Sequence, residues 1–312
     1  MRWGSYVALC RPRPIPRFRC RACGRTFSSQ TFSISFGLHK PSVTSSLLKL
    51  LVSGVSIRQS VRIGHVRRRA VEGRLDRYGT FCAQAAENLL RGFKPRGHFQ
   101  TDEIETYEHN RLSKPLTVGL LVAVPSGMIL AGEVGRIRSR AGKSAASKKR
   151  RAAFEAEEGR RPNESGLVMR RCLSRLEGAE GVVLASDRKP LYASLVRRLF
   201  APGEVEHRIY SGKGTKGPRS PLFWVNHEAA MARYGISRLI RRSWCVSKKG
   251  ERLEKHVAIW MLMNNVWRWR VNGEGRTPAM TEGLLGRRIR VEEIAEGYRQ
   301  DWGELSRRLG AA

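Results

Sequence analysis

The stretch KPLTVGLLVAVPSGMILAGEVG (114–135) constrains the fold more than any other part of this chain. Two apolar runs, 114–125 and 127–135, are rich in Val, Leu and Ile and are separated by the turn VPSG (124–127), which reads as a β-hairpin. HFQTDEIETYEH (98–109) precedes them as a further strand. A sheet with runs this apolar needs cover, and the downstream sequence supplies it. GLVMRRCLSRL (166–176) reads as a helix, GVVLASD (181–187) as a strand, LYASLVRRLF (191–200) as a helix and VEHRIYS (205–211) as a strand, before a long helix. The intervening RIRSRAGKSAASKKRR (136–151) has eight basic residues and no acidic one, so it is expected as a loop or helix entrance exposed to solvent.

Three strands, a helix, a strand, a helix, a strand and a long helix match the order of an RNase H-like α/β domain with a mixed sheet; other α/β folds share parts of that order. Asp102 lies in the first of these strands and Asp187 ends the fourth. In the RNase H arrangement those strands are neighbours, so the two carboxylates share one site. Paired carboxylates repel unless cations neutralise them, and oxygen ligands suit Mg²⁺ or Mn²⁺. Arg188 and Lys189 would then lie near substrate phosphates. The competing reading of Asp187 is a cap on the following helix. The chain has 59 Lys and Arg against 27 Asp and Glu, a formal net charge of +32, which calls for a polyanionic partner. No run approaches the length of a membrane span, and six scattered cysteines in 312 residues favour a reduced compartment inside the cell.

Two further modules precede the sheet. RFRCRACGRTF (17–27) carries Cys20 and Cys23 between Phe18 and Phe27, one half of a zinc ribbon. Cys10 is a possible third ligand, and no second CxxC follows, so a broken or truncated ribbon is the favoured reading. SSLLKLLVSGVSIRQSVRIGHVRRRAVEGRLDRYG (45–79) reads as an apolar helix, a turn at Gly54, a short helix capped by Ser56 and a third helix displaying Arg67, Arg68, Arg69 and Arg74. That order is similar to a helix-turn-helix, with the arginines on DNA phosphates; the plain alternative is a three-helix bundle with a basic face.

FRCRACGRTF, GVSIRQSVR, TDE (101–103), SDRKP (186–190) and above all NHEAAMARYGISRLIRRSWCVSKK (226–249) resemble insertion-sequence transposases of the zinc-ribbon group related to insertion sequence 1. RLIRRSWCVSK (238–248) is the most specific part, and the resemblance runs from about residue 15 to about 270. It implies a partial zinc ribbon (1–35), a helix-turn-helix region (40–90), an RNase H-like catalytic domain (96–270) and a tail (271–312). It also implies Mg²⁺-dependent cutting and rejoining of double-stranded DNA at transposon ends and target. Carried over by position, the triad is Asp102, Asp187 and either Asn226 or Glu228, with Lys248 near a phosphate. On a helix Asn226 shares a face with Arg233 and Ser237, whereas Glu228 points along an apolar seam, so Asn226 is favoured as the third metal ligand. Arg233, Arg238, Arg241 and Arg242 are expected on DNA. The resemblance implies a homo-oligomer acting on DNA in a prokaryotic cytoplasm, at the nucleoid. The alternatives are a decayed DNA-binding derivative of a transposase, or an RNase H-like nuclease that joins no strands.

Overall fold

The computed structural model describes residues 1–7, 13–211, 217–240, 244–270 and 275–297. Strands β1 (Arg2–Tyr6), β2 (Ile15–Arg19) and β3 (Thr26–Ser28) form a small antiparallel sheet. Helices α1 (Thr44–Leu51), α2 (Ile57–Ile63) and α3 (Arg68–Leu90) follow. Ser56 starts α2 with a capping box: its side chain accepts the Gln59 N–H, and Gln59 returns the bond to the Ser56 N–H.

The central sheet has five strands: β4 (Gly97–Tyr107), β5 (Pro115–Val124), β6 (Ile129–Arg136), β7 (Val182–Asp187) and β8 (Val205–Tyr210). Their order is β6-β5-β4-β7-β8. β4, β5 and β6 are mutually antiparallel, while β7 and β8 run parallel to β4. This is an α/β fold with a mixed sheet of RNase H-like topology. Helices α4 (Ala145–Glu158), α5 (Ser165–Leu173) and α6 (Pro190–Leu199) lie between the strands in sequence, and α7 (Phe223–Gly235) and α8 (Gly250–Val266) follow β8. α5 packs on β5 and β6 with α6 beside it; α7 and α8 pack against the sheet as well, and α3 lies along α8.

With helices on both faces, β5 is buried along nearly its whole length, which explains its unbroken apolar run. Gly119 permits the contact on one side, because a Cβ there would lie 2.7 Å from Val168 Cγ1 on α5. Gly79 does the same between α3 and α8, where a Cβ would lie 2.3 Å from that of Lys255.

The basic stretch 136–151 leads from the end of β6 at Arg136 into α4, which begins at Ala145 behind the Ser144 cap and buries no side chain. The helices of 40–90 share a core with the sheet, since Leu47, Leu75 and Tyr78 belong to the same apolar core as β5 and α8. The described part of the tail packs inward: helices α9 (Pro278–Thr281) and α10 (Val291–Glu296) and the segment between them bring Ala279, Ile294 and Ile289 into that core, and the Tyr78 hydroxyl donates to Ala295 O at 2.6 Å. Among the described residues no helix is long and apolar enough to cross a membrane.

Candidate active site

β7 pairs in parallel with β4, Gly97 opposite Val182 through Gln100 opposite Ala185. Extended two residues beyond the last paired residues, that register sets Asp102 level with Asp187, on strands about 4.8 Å apart, and the Asp187 charge acts on the Asp102 carboxyl. Both share the sheet face of Gln100, whose side chain ties β4 to α7: Nε2 donates to Pro221 O at 2.8 Å and Oε1 accepts the Val225 N–H at 3.0 Å.

Each aspartate spends one oxygen on local backbone. Asp102 Oδ1 accepts the Glu103 N–H at 2.7 Å, with the Tyr192 hydroxyl 3.4 Å away. Asp187 Oδ1 accepts the Lys189 N–H at 2.9 Å, so the capping reading describes that one atom. Among the described residues Oδ2 of neither accepts a hydrogen bond. Burial pushes the Asp102 carboxyl up to about 6; the charges of Asp187 and Glu103 push the same way, against the pull of the Glu103 N–H and the Tyr192 hydroxyl. Two facing carboxylates with uncommitted oxygens form a donor set of the kind that accepts a hard divalent cation.

Sequence reasoning missed Glu103, which points to the opposite face of β4. Its carboxylate is buried and accepts from Thr117 Oγ1 at 2.8 Å and Ser165 Oγ at 2.6 Å, with the Tyr192 hydroxyl at 3.3 Å. The Lys189 ammonium closes an ion pair with it, so Lys189 is committed to Glu103 instead of being free for phosphate. The signal was an acid next to Asp102 in TDE, in a chain with few acids. Tyr192, buried and reaching both carboxylates, gave none, because its role depends on where α6 packs.

α7 runs alongside β4, from Val225 beside Gln100 to Arg238 just beyond its end, whose carbonyl lies 3.5 Å from Thr106 Oγ1. Asn226 is exposed in the first turn, one residue from the Gln100 anchor. Glu228 is buried and turned elsewhere: Oε1 meets His227 Nδ1 at 3.0 Å, Oε2 accepts from Asn264 Nδ2 at 3.1 Å, and the carboxylate abuts Gly127 at the β5–β6 turn.

The other named residues are dispersed. Arg188 is exposed beside Asp187, and Arg233 is half-buried on α7. Arg238 is only 9% exposed, and burial pulls its guanidinium pKa down, so it braces the interior and is not displayed to DNA. Lys248 is exposed, but its carbonyl lies 3.1 Å from His109 Nε2 beyond the end of β4, roughly 20 Å along the strand from Asp102. Arg241 and Arg242 lie outside the described residues. Arg67, Arg68 and Arg69 are exposed at the start of α3, where successive positions diverge by about 100°. Arg68 is paired with Glu72 at 2.7 Å. Arg74 is the exception to the displayed set: it is 3% exposed and donates to Thr44 Oγ1 and Lys40 O.

Cys20 and Cys23 occupy the turn between β2 and β3, and the Cys20 thiol pKa is lowered chiefly by the Cys23 backbone N–H and then by that of Ala22. That is thiolate-favouring geometry, but it brings two ligands, and Cys10 lies outside the described residues. Among the described residues no group of three or more His, Cys, Asp or Glu is gathered as for a metal ion. No family model matches the chain, and no curated protein matches it in sequence.

Proposed function

We propose that the chain is a metal-dependent polynucleotidyl transferase, a DNA transposase that cuts a phosphodiester at the end of an element and joins the freed 3′-hydroxyl to target DNA. The observation that carries the reading is that Asp102 and Asp187 lie on adjacent parallel strands, close enough for one charge to act on the other, each with one oxygen that accepts no hydrogen bond among the described residues. Mg²⁺ or Mn²⁺ fits this hard, anionic donor set, with Asn226 as a neutral third oxygen. A divalent ion bound there would acidify a water or sugar hydroxyl and stabilise the leaving oxygen.

The chain's own residues have distinct parts in this reading. Glu103, held by Lys189, Thr117 and Ser165, stiffens β4 behind Asp102. Tyr192 shares its hydroxyl between the two acids and orients the Asp102 carboxylate. Arg188 offers a guanidinium to a phosphate next to the pair, while Arg67, Arg68 and Arg69 hold the backbone further out. Cys20 and Cys23 are a remnant zinc knuckle in this reading, and the assembly on DNA is a homo-oligomer. A second reading, a DNA-binding protein with a decayed centre, draws on the amide at Asn226 and on the inward turn of Glu228.

Strand transfer decides between them. With DNA from the two flanks of the coding sequence as donor and Mg²⁺ present, the wild-type chain should generate joined products. Asn226→Ala should lose most cleavage at limiting Mg²⁺, and Glu228→Ala at matched folded fraction should retain more. A dead Glu228→Ala beside an active Asn226→Ala reverses the assignment, and no joining by the wild type favours the decayed reading.

A further inference from the structure

Glu228 faces a cavity of about 340 Å³ that the proposed chemistry does not use. Its walls are aromatic: Phe223 and Trp224 from the first turn of α7, and Trp269, just past α8. Phe223 and Trp224 meet edge to face at 5.4 Å. Trp269 is 45% exposed and already carries the Arg288 guanidinium 4.3 Å above its ring. The floor is polar and buried. Glu228 is 4% exposed and Asn264 5%, and they bond to each other at 3.1 Å. Arg268 and Arg270 stand among the lining residues. Arg270 has its guanidinium 5.5 Å from the centre of the Trp224 ring and donates to Pro125 O at 2.6 Å and Thr281 Oγ1 at 3.2 Å, so it walls the cavity. Among the described residues the Arg268 guanidinium meets only the Met231 sulfur, at 3.0 Å. Arg270 Nε is buried and makes no hydrogen bond among the described residues.

We infer that this cavity binds a single unstacked nucleobase, with guanine preferred, and that Arg268 takes its phosphate. Size sets the scale, since the volume is at the small end for ligand sites and suits one base against an aromatic wall. Charge sets the class. An acidic peptide would bring its carboxylates against Glu228, and a basic one would meet two arginines, whereas a nucleotide directs N–H groups inward and its anion outward. Hydrogen bonding sets the preference. A carboxylate has about four acceptor positions. Asn264 and His227 occupy two of them, and guanine's N1–H and N2–H₂ can take those that remain.

The inference rests on nucleic acid being the substrate. It places the base close to the proposed chemistry, because Trp224 and Asn226 share the first turn of α7 beside the Gln100 anchor. A base unstacked next to the reacting phosphate would thus be held on the opposite flank of the same helix.

The test uses the full chain in EDTA, so that no cleavage contributes, and fluorescein-labelled oligothymidylates of about twelve nucleotides. One carries a central dG, a second dA, and a third an abasic site. The dG strand should bind about tenfold more tightly than the abasic strand, the range expected of one stacked base. Trp269→Ala, at an exposed position that leaves the core intact, should erase that difference, and Glu228→Gln should equalise dG and dA. Equal affinity for the dG and abasic strands, or a Trp269→Ala chain that keeps the tenfold difference, would overturn the inference. If Glu228→Gln does not fold, Trp269→Ala decides alone. Base discrimination that persists in a chain unable to join strands would sink the catalytic reading and leave the pocket standing; the reverse pattern would sink only the pocket.

Discussion

His256 joins α8 to α1 by donating its Nε2–H to Leu51 O at 2.6 Å, deep in the core. Nδ1 is buried with no partner among the described residues, as suits a neutral ring. Burial pulls its pKa down to about 4, and the charge of Arg238 pulls the same way. The imidazole therefore stays neutral in the folded chain and gains its proton on unfolding as pH falls below about 6.5. Stability should be lost between pH 6.5 and 4, by on the order of 3 kcal/mol from this group alone. Denaturant midpoints at the two ends of that window should differ less for His256→Gln, whose amide can keep the bond to Leu51 O. Parallel losses in the two chains would remove His256 as the cause. Legibility at this scale is uneven. Arg74 sits three residues after Val71 and four before Tyr78, so helical spacing already put it on the apolar face, and its charge masked the signal. Nothing local marks His256 or Arg238 as buried, because each is enclosed by elements far away in sequence.

At the scale of elements, α3 combines two environments. Its first turn exposes Arg67, Arg68 and Arg69, while Leu75, Tyr78, Cys82 and Ala85 along its body are buried and the helix lies against α8. The alanine triple variant at 67–69 should therefore keep its thermal midpoint yet bind every duplex more weakly. The log–log salt slope should fall by roughly two to three units, about one per lost phosphate contact. Unchanged affinity with an unchanged slope would make this turn an ordinary charged surface. The three-helix order was readable from the spacing of Leu47, Leu48 and Leu51, from Gly54 and from the Ser56 cap. The length of α3 was not: its mean character is polar, and Gly79 looks like a stop until Lys255 is brought against it. α4 was anticipated only as an exposed helix entrance, because it has no buried side chain and hence no apolar period to read.

For the whole molecule, the hairpin at 114–135 and the apolar run ending in Asp187 were enough to anticipate the sheet, because strands covered on both faces carry their burial in their composition. The match of strand order to the RNase H arrangement anticipated that the strands of Asp102 and Asp187 would be neighbours. The Glu103–Lys189–Tyr192 network behind them and the cavity in front of Glu228 depend on how α5, α6, α7 and α8 close over that sheet, which no local pattern encodes. On the proposed function the two aspartates share one cation, which calorimetric titration of the full chain with Mn²⁺ measures. The wild-type chain should bind the ion, and Asp102→Asn and Asp187→Asn should each weaken binding at least about tenfold while circular dichroism shows the fold retained. Equal Mn²⁺ affinity in all three chains would contradict the account.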